Sequence, residues 1–337
     1  MNIDIILRDN DLLQIAERDG ARFKKTGSGY HSACPIHKGD NQSAFSVWEE
    51  DGKQRWHCFT KNCGGGDVLD YVIARDNVDF KRACEILGGQ VATPEEIKTA
   101  TEERRIRAEA YEKKKRDEYQ HALDELKQAR SWEKYYQNLE TNDNARQLWR
   151  NRGIPDEWQN IWQLGYCPEF TYYTDEGKHT SPSLTIPIFT NDYQPVNIRH
   201  RILNPFKPND KYRPDMPGLK SLPFVADNDR KDHECVLVVE GEVKAMVTYI
   251  YLDSVKWQVY GIAGKEQYRD LAEKLKGRKV WLLFDPDALD QAKAAAGIIG
   301  DGRIINVPMK IDDALNGGYL NTNGLRHLLR NARGINA

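Results

Sequence analysis

The chain has 337 residues, 30% of them charged, with a formal net charge of −2. Length allows two or three domains with a real core, and the balanced charge gives no global signal for nucleic acid, so any such contact must come from local patches. No apolar run approaches the ~18 residues of a membrane span, which excludes a transmembrane helix.

Asp4 and Arg8 come too early for a signal peptide. Residues 11–19 (DLLQIAERD) read as a short amphipathic helix that stops at Gly20. Residues 30–72 are rich in glycine, aromatics and cysteine, with strand-like runs AFSVW and QRWHCF. Two helices follow, DVLDYVIARDN and VDFKRACEILG, the second ending at Gly88-Gly89. Thr93-Pro94-Glu95-Glu96 has the chemistry of a capped helix start. From there to about Leu139 the chain is dominated by charged residues, glutamine and alanine, with no sustained heptad. A long solvated helix between two domains is expected, or else part of a helical subdomain.

From Asp143 the pattern turns globular. Two helices broken at Gly153-Ile154-Pro155 are followed by a hairpin, SLTIPIF and PVNIRHRIL, around Asn191-Asp192. Residues 204–223 are proline-rich and basic and read as a loop. The last third alternates apolar runs and helical patterns. Cys235–Val239 and Val280–Phe284 read as strands buried on both faces, and Arg303–Val307 as a third. The fold class expected is α/β: a small β-rich zinc ribbon, a long helical linker, and a parallel sheet flanked by helices.

Two constellations carry chemistry. Cys34 and His37, then 20 residues, then Cys58 and Cys63 form a C-x2-H…C-x4-C set. Three thiolates and an imidazole suit a closed, structural zinc site. The six cysteines are not spaced as a disulfide framework, so a reduced, cytoplasmic protein is expected. His31 and His57 are spare histidines with ordinary surface or supporting roles. Tyr30, Trp48, Trp56 and Phe59 are either the module's core or platforms on which bases stack.

The second constellation is hard. Glu240 ends one strand; Asp285 and Asp287 leave another. Two carboxylates about 5 Å apart repel by roughly 3 kcal/mol at an effective dielectric near 20, and a divalent cation turns that repulsion into binding. The alternative is that each acid caps the helix after its strand. Asp312 and Asp313 follow the third strand, as a further ligand or a cap. Just before the acidic strands, Arg199, Arg201, Lys207, Lys211, Arg213 and Lys220 are interleaved with prolines and aromatics, a loop suited to phosphates or simply solvated.

Taken together, these motifs resemble the bacterial-type DNA primases, including the primase halves of phage primase–helicases. DLLQIAERDG…GYHSACPIH…HCFTKNCGGGDVLDYVI is similar to the family's zinc-binding domain. NARQLWRNRGIPDEWQNIWQLGYCP is similar to the start of its RNA polymerase domain, with Arg152 at a basic position. SLTIPIF…NIRHRIL…DKYRPDMPGLK resembles the template- and nucleotide-binding stretch, where Arg201, Lys211 and Lys220 match. VVEGEVKAM…FDPDA…KIDDAL resembles the TOPRIM fold, with Glu240, Asp285 and Asp287 at its acidic positions and Asp313 at a later one.

The resemblance implies a zinc-binding domain over 1–90, a charged linker over 91–140, the first part of the polymerase region over 141–230 and a TOPRIM domain over 231–337. It also implies one structural zinc and one or two Mg2+ or Mn2+ ions. The activity implied is synthesis of RNA primers on a single-stranded DNA template from nucleoside triphosphates. No Gly-x4-Gly-Lys-Ser/Thr loop occurs, so a separate helicase partner is expected. Three departures stand out. The last cysteine pair is spaced by four residues rather than two, Lys244 replaces an acid, and Ala-Leu-Asp follows Asp287 in place of Ala-Gly. A TOPRIM nuclease and a non-catalytic zinc-bearing binder are the competing readings.

Overall fold

The computed structural model describes residues 3–27, 29–50, 52–61, 63–88, 94–174, 176–227, 233–252, 256–263, 267–332 and 334. The chain divides into two compact units, Met1–Lys114 and Lys115–Ala337.

In the first unit, five short antiparallel strands lie in chain order: Lys24–Thr26, Gly29–Ser32, Phe45–Glu50, Lys53–Cys58 and Gly65–Gly66. Helices Leu12–Arg18 and Val68–Asp76 add Leu12, Leu69 and Val72 to its core. Asp11 caps the first helix, and Asp67 and Asp70 close a capping box on the second. Helix Ile3–Asp9 was not anticipated by the sequence pattern. The ambiguity over the aromatics resolves residue by residue. Trp56 is buried and packs edge-on against Tyr71 at 5.5 Å, donating its indole N–H to the Asp67 carbonyl. Phe59 is 61% exposed.

The charged stretch is not one helix. Pro94–Ala129 ends at Arg130, which takes a left-handed conformation (φ 48), and Ser131–Glu140 follows. Composition predicts solvation well up to Glu118. Beyond it, Ala122 and Leu126 are buried against Ile198 and Leu219, and the turn at Arg130 lets Leu139 enter the main core. Thr93 and Gly89, expected at a cap and a helix end, lie outside the described residues.

The second unit has two sheets. One is antiparallel, Gly165–Thr174, Gly177–Phe189, Pro195–Ile202 and Tyr212–Pro214 in that order. The expected hairpin is its middle pair. The expected loop over 204–223 supplies the fourth strand, which its prolines had hidden. A buried polar network ties this sheet together. Ser183 donates to His200 Nδ1 (2.8 Å), while His200 Nε2–H and the Tyr135 hydroxyl both donate to Asp215 (2.8 and 2.9 Å). Phe170 stacks on the imidazole at 3.7 Å.

The other sheet runs Phe224–Val225, Trp257–Ile262, Cys235–Glu240, Val280–Leu283, Gly302–Ile304. Its last four strands are parallel, and the first is an antiparallel edge. Helices cover both faces, which explains the unbroken apolar runs. Leu237, Val239, Val259 and Leu283 pack on one side with helix Glu242–Leu252. Val236, Val238, Val280 and Leu282 pack on the other with helices Tyr268–Lys274 and Leu289–Ile299.

Burial holds the His200 pKa below the usual histidine value, with Asp215 pulling the other way. A depressed histidine stabilises the fold above pH 6.5, and that contribution is lost as pH falls through its folded pKa. The His200 ring signals in an NMR titration should therefore stay on the neutral plateau below pH 6.5. Titration of His200 at an ordinary value would show that the network is open to water.

Candidate zinc and acidic sites

Strand Lys53–Cys58 delivers Cys58 at its end, and the chain then doubles back so that the Cys58 amide donates to the Gly64 carbonyl (3.0 Å). Gly64 has φ +116, a region where a side chain would be strained. At Gly65 a Cβ would lie 2.6 Å from His57 Nδ1. The glycine run thus permits the sharp turn that brings Cys63 back.

The ligand atoms of Cys34, His37, Cys58 and Cys63 all lie within 4.8 Å of one another, as a tetrahedral zinc requires. His37 Nδ1 is 3.1 Å from Cys63 Sγ and 3.6 Å from Cys58 Sγ; its Nε2 meets the Thr60 hydroxyl at 3.3 Å. Three sulfurs this close cannot all ionise unless a cation joins them. A hydrogen bond from Cys34 holds the Cys58 thiol down to about 3, while burial pushes Cys63 up to about 11. A zinc ion resolves that conflict by taking all three as thiolates. These four residues could hold a metal ion, and three thiols with an imidazole suit a structural zinc. Among the described residues they are the one cluster with three or more such ligands in mutual reach.

The acids stand at the carboxyl ends of two adjacent parallel strands. Strand Cys235–Glu240 connects through helix Glu242–Leu252 to one side of the sheet, while Val280–Leu283 connects through helix Leu289–Ile299 to the other. The two connections diverge, which opens the crevice where parallel α/β sheets hold ligands. Val239 pairs with Leu283, so Glu240 and Asp285 emerge one residue apart in register.

Glu240 Oε2 is buried with no hydrogen-bond partner among the described residues. Burial first, then the charges of Asp285 and Asp287, raise its pKa; Lys244 opposes them. Lys244 Nζ donates to both Asp285 oxygens, at 2.6 and 2.5 Å, in a largely buried pair. Asp287, in the turn Pro286–Ala288, is exposed. Asp313 is also exposed; it is its neighbour Asp312 that is buried, facing Arg152 at 3.8 Å.

The basic residues separate into groups. Arg152, Arg201 and Lys211 come together, joined by Lys310. Burial and then Arg201 push the Arg152 pKa down. Burial, then Arg201, Arg152 and Lys310, do the same to Lys211, with Asp312 opposing. Four separate segments contribute these cations. Gly153 (φ +80) permits it: a Cβ there would sit 2.0 Å from Asn316, whose amide donates to the Arg152 carbonyl. Arg199 and Lys220 are engaged elsewhere. Arg199 Nε is 3.0 Å from the buried Glu242, and the Lys220 ammonium lies 4.7 Å over the Tyr119 ring. Lys310 was missed in the sequence, where one lysine before a helix is no signal.

Residues 1–104 match the family model described as CHC2 zinc finger. A DNA primase of Clostridium acetobutylicum is 24% identical over 338 aligned residues, covering 87% of this chain and 52% of that protein. Over most of its length the chain is thus similar to a DNA primase. Over a shorter stretch of 86 residues, 25% of this chain and 12% of that protein, identity to the Pseudomonas putida DNA primase is 36%. The chain thus spans about half the length, or less, of these curated relatives. The structure of the Aquifex aeolicus primase zinc-binding and RNA polymerase domains aligns at TM-score 0.48 and 18% identity, covering 98% of this chain and 85% of that one. Among the described residues, no helix is long and apolar enough to cross a membrane.

Cys58→Ser should reduce bound zinc to near zero and abolish cooperative unfolding of Met1–Lys114, with the transition of Lys115–Ala337 preserved. Metal analysis and differential scanning calorimetry check this. Full zinc retention would show that Cys58 is not a ligand.

Proposed function

We propose that this chain is a DNA primase, a nucleotidyltransferase that builds short RNA primers on single-stranded DNA. The observation that carries the reading is the meeting of Glu240 and Asp285 at the diverging strand ends, within a chain related to primases. Glu240 offers a buried, unpartnered oxygen near Asp285 and Asp287, and carboxylate donors suit a hard divalent ion such as Mg2+ or Mn2+, although the three acids do not all have ligand atoms in mutual reach. When bound there, that ion would supply Lewis-acid stabilisation of the triphosphate and of the attacking 3′-hydroxyl.

The chain's own residues do the rest. Glu240, Asp285 and Asp287 provide the acidic side of the crevice, with Asp313 as a proposed outer ligand. Arg152, Arg201, Lys211 and Lys310 are neighbouring cations whose mutual repulsion is relieved by an anion, so they hold phosphates of nucleotide or template. Arg201 is oriented by its bond to the Tyr212 hydroxyl (2.9 Å). Arg199 acts indirectly, fixing Glu242 at the start of the helix that follows Glu240. Lys220 can touch the template only by leaving the Tyr119 ring. The zinc module, over 1–90, reads the template start site, and a separate helicase delivers the unwound strand.

Full-length protein, single-stranded DNA, labelled nucleoside triphosphates and Mg2+ or Mn2+ should yield new RNA of short defined length. Asp285→Asn should abolish it in a protein that is still folded, though with a lowered melting temperature because Lys244 loses its buried partner. Cleaved DNA in place of new RNA would favour a nuclease, and synthesis unaffected by Asp285→Asn would end the assignment. Lys310→Ala should weaken single-strand binding and reduce the salt slope by about 0.7, the loss of one phosphate contact. An unchanged slope would remove Lys310 from the phosphate site.

A further inference from the structure

The strand end holds an ammonium group where its chemistry calls for a cation. Lys244 lies in the first turn of helix Glu242–Leu252, immediately after Glu240-Gly241. Its Nζ contacts both oxygens of Asp285, and its side chain is only 15% exposed. The position is imposed by packing and is not a flexible surface pairing. A Cβ on Gly261 of the neighbouring strand would meet Glu242 Cα at 2.9 Å and the Gly241 carbonyl oxygen at 3.0 Å, so the helix start is pressed against the sheet. Gly241 itself has φ +94, which sets the abrupt turn from strand to helix. Arg199 clamps the other side of that turn through Glu242.

Charge counting gives the consequence. Glu240, Asp285 and Asp287 carry −3; Lys244 returns +1, leaving −2, the charge that one divalent ion neutralises. An acid at position 244 would instead leave −4, enough for two. We propose that Lys244 is a tethered counterion that occupies one of the cation positions of the acidic crevice, so that this chain binds a single divalent ion there. The ammonium and the ion share Asp285. Lys244 is therefore a positioning residue, which fixes the Asp285 carboxylate and limits occupancy to one ion. This inference rests on the proposed polymerase reading of the same crevice.

Mn2+ binding to the zinc-loaded full chain, followed by electron paramagnetic resonance, tests it without any turnover. The quantity read is the number of bound Mn2+ ions lost in Glu240→Gln. The expected count is one for the native chain and two for Lys244→Asp. In Lys244→Met the count stays at one, but the ion is held about tenfold or more tightly, because a neighbouring like charge is gone. Two Glu240-dependent ions in the native chain would overturn the proposal even if neither Lys244 variant folded. A count of one with unaltered affinity in a folded Lys244→Met would overturn it as well. No Glu240-dependent ion in any of these proteins would overturn the polymerase reading itself, which separates the two failures.

Discussion

The central constraint on this molecule is electrostatic: a half-buried carboxylate, with one oxygen shut off from solvent, at the end of a parallel strand that the protein itself only partly neutralises. Glu240 Oε2 has no hydrogen-bond partner among the described residues, and two aspartates push against it. Leaving a buried acceptor unpaired costs roughly 1–3 kcal/mol, more for a charged one. The surrounding fold maintains that cost. Strands buried on both faces fix the register, and Gly241 and Gly261 allow the close turn into the next helix. The Arg199–Glu242 pair secures that turn from the neighbouring sheet. Lys244 then satisfies Asp285 and leaves Glu240 Oε2 without a hydrogen-bond partner among the described residues.

The same logic runs in the opposite sign a short way along the chain. Arg201 lies two residues beyond Arg199 on one strand, and so on the same face. It joins Arg152, Lys211 and Lys310 in a cluster in which its charge helps push the pKa of both Arg152 and Lys211 down. A site short of cations and a site short of anions are together the chemistry that a metal-bound polyphosphate would satisfy. In the first unit the conflict is among sulfurs, and a zinc ion would remove it. The buried Ser183–His200–Asp215 network, by contrast, is satisfied internally and closed to solvent, which marks it as framework.

Much of this was legible in the residues. The zinc ligands announce themselves because soft donors in two tight pairs have few other uses, and the acids do so because each follows a run of buried strand residues. The strand Trp257–Ile262 was not legible: Gln258 and Tyr260 break its apolar pattern, although Gln258 is buried beside the Arg278 guanidinium. Nor was the strand Tyr212–Pro214, whose pairing with Pro195–Ile202 is a long-range choice inside a proline-rich stretch. The turn at Arg130 depends on tertiary burial of Leu126 and Leu139, which helix propensity cannot anticipate. Lys310 and the engagement of Arg199 are likewise properties of the assembled sheets. A list of basic residues in sequence does not say which of them will meet.

The most direct test of convergence is iron-directed cleavage of the backbone. Fe2+ with ascorbate and peroxide, added to the zinc-loaded protein, cuts the chain next to wherever a hard divalent ion binds. Convergence predicts two cuts of similar yield, one near Glu240 and one near Asp285, both suppressed by excess Mg2+. Cutting at one segment alone, or at neither, would contradict a shared ion and with it the account of the acidic crevice.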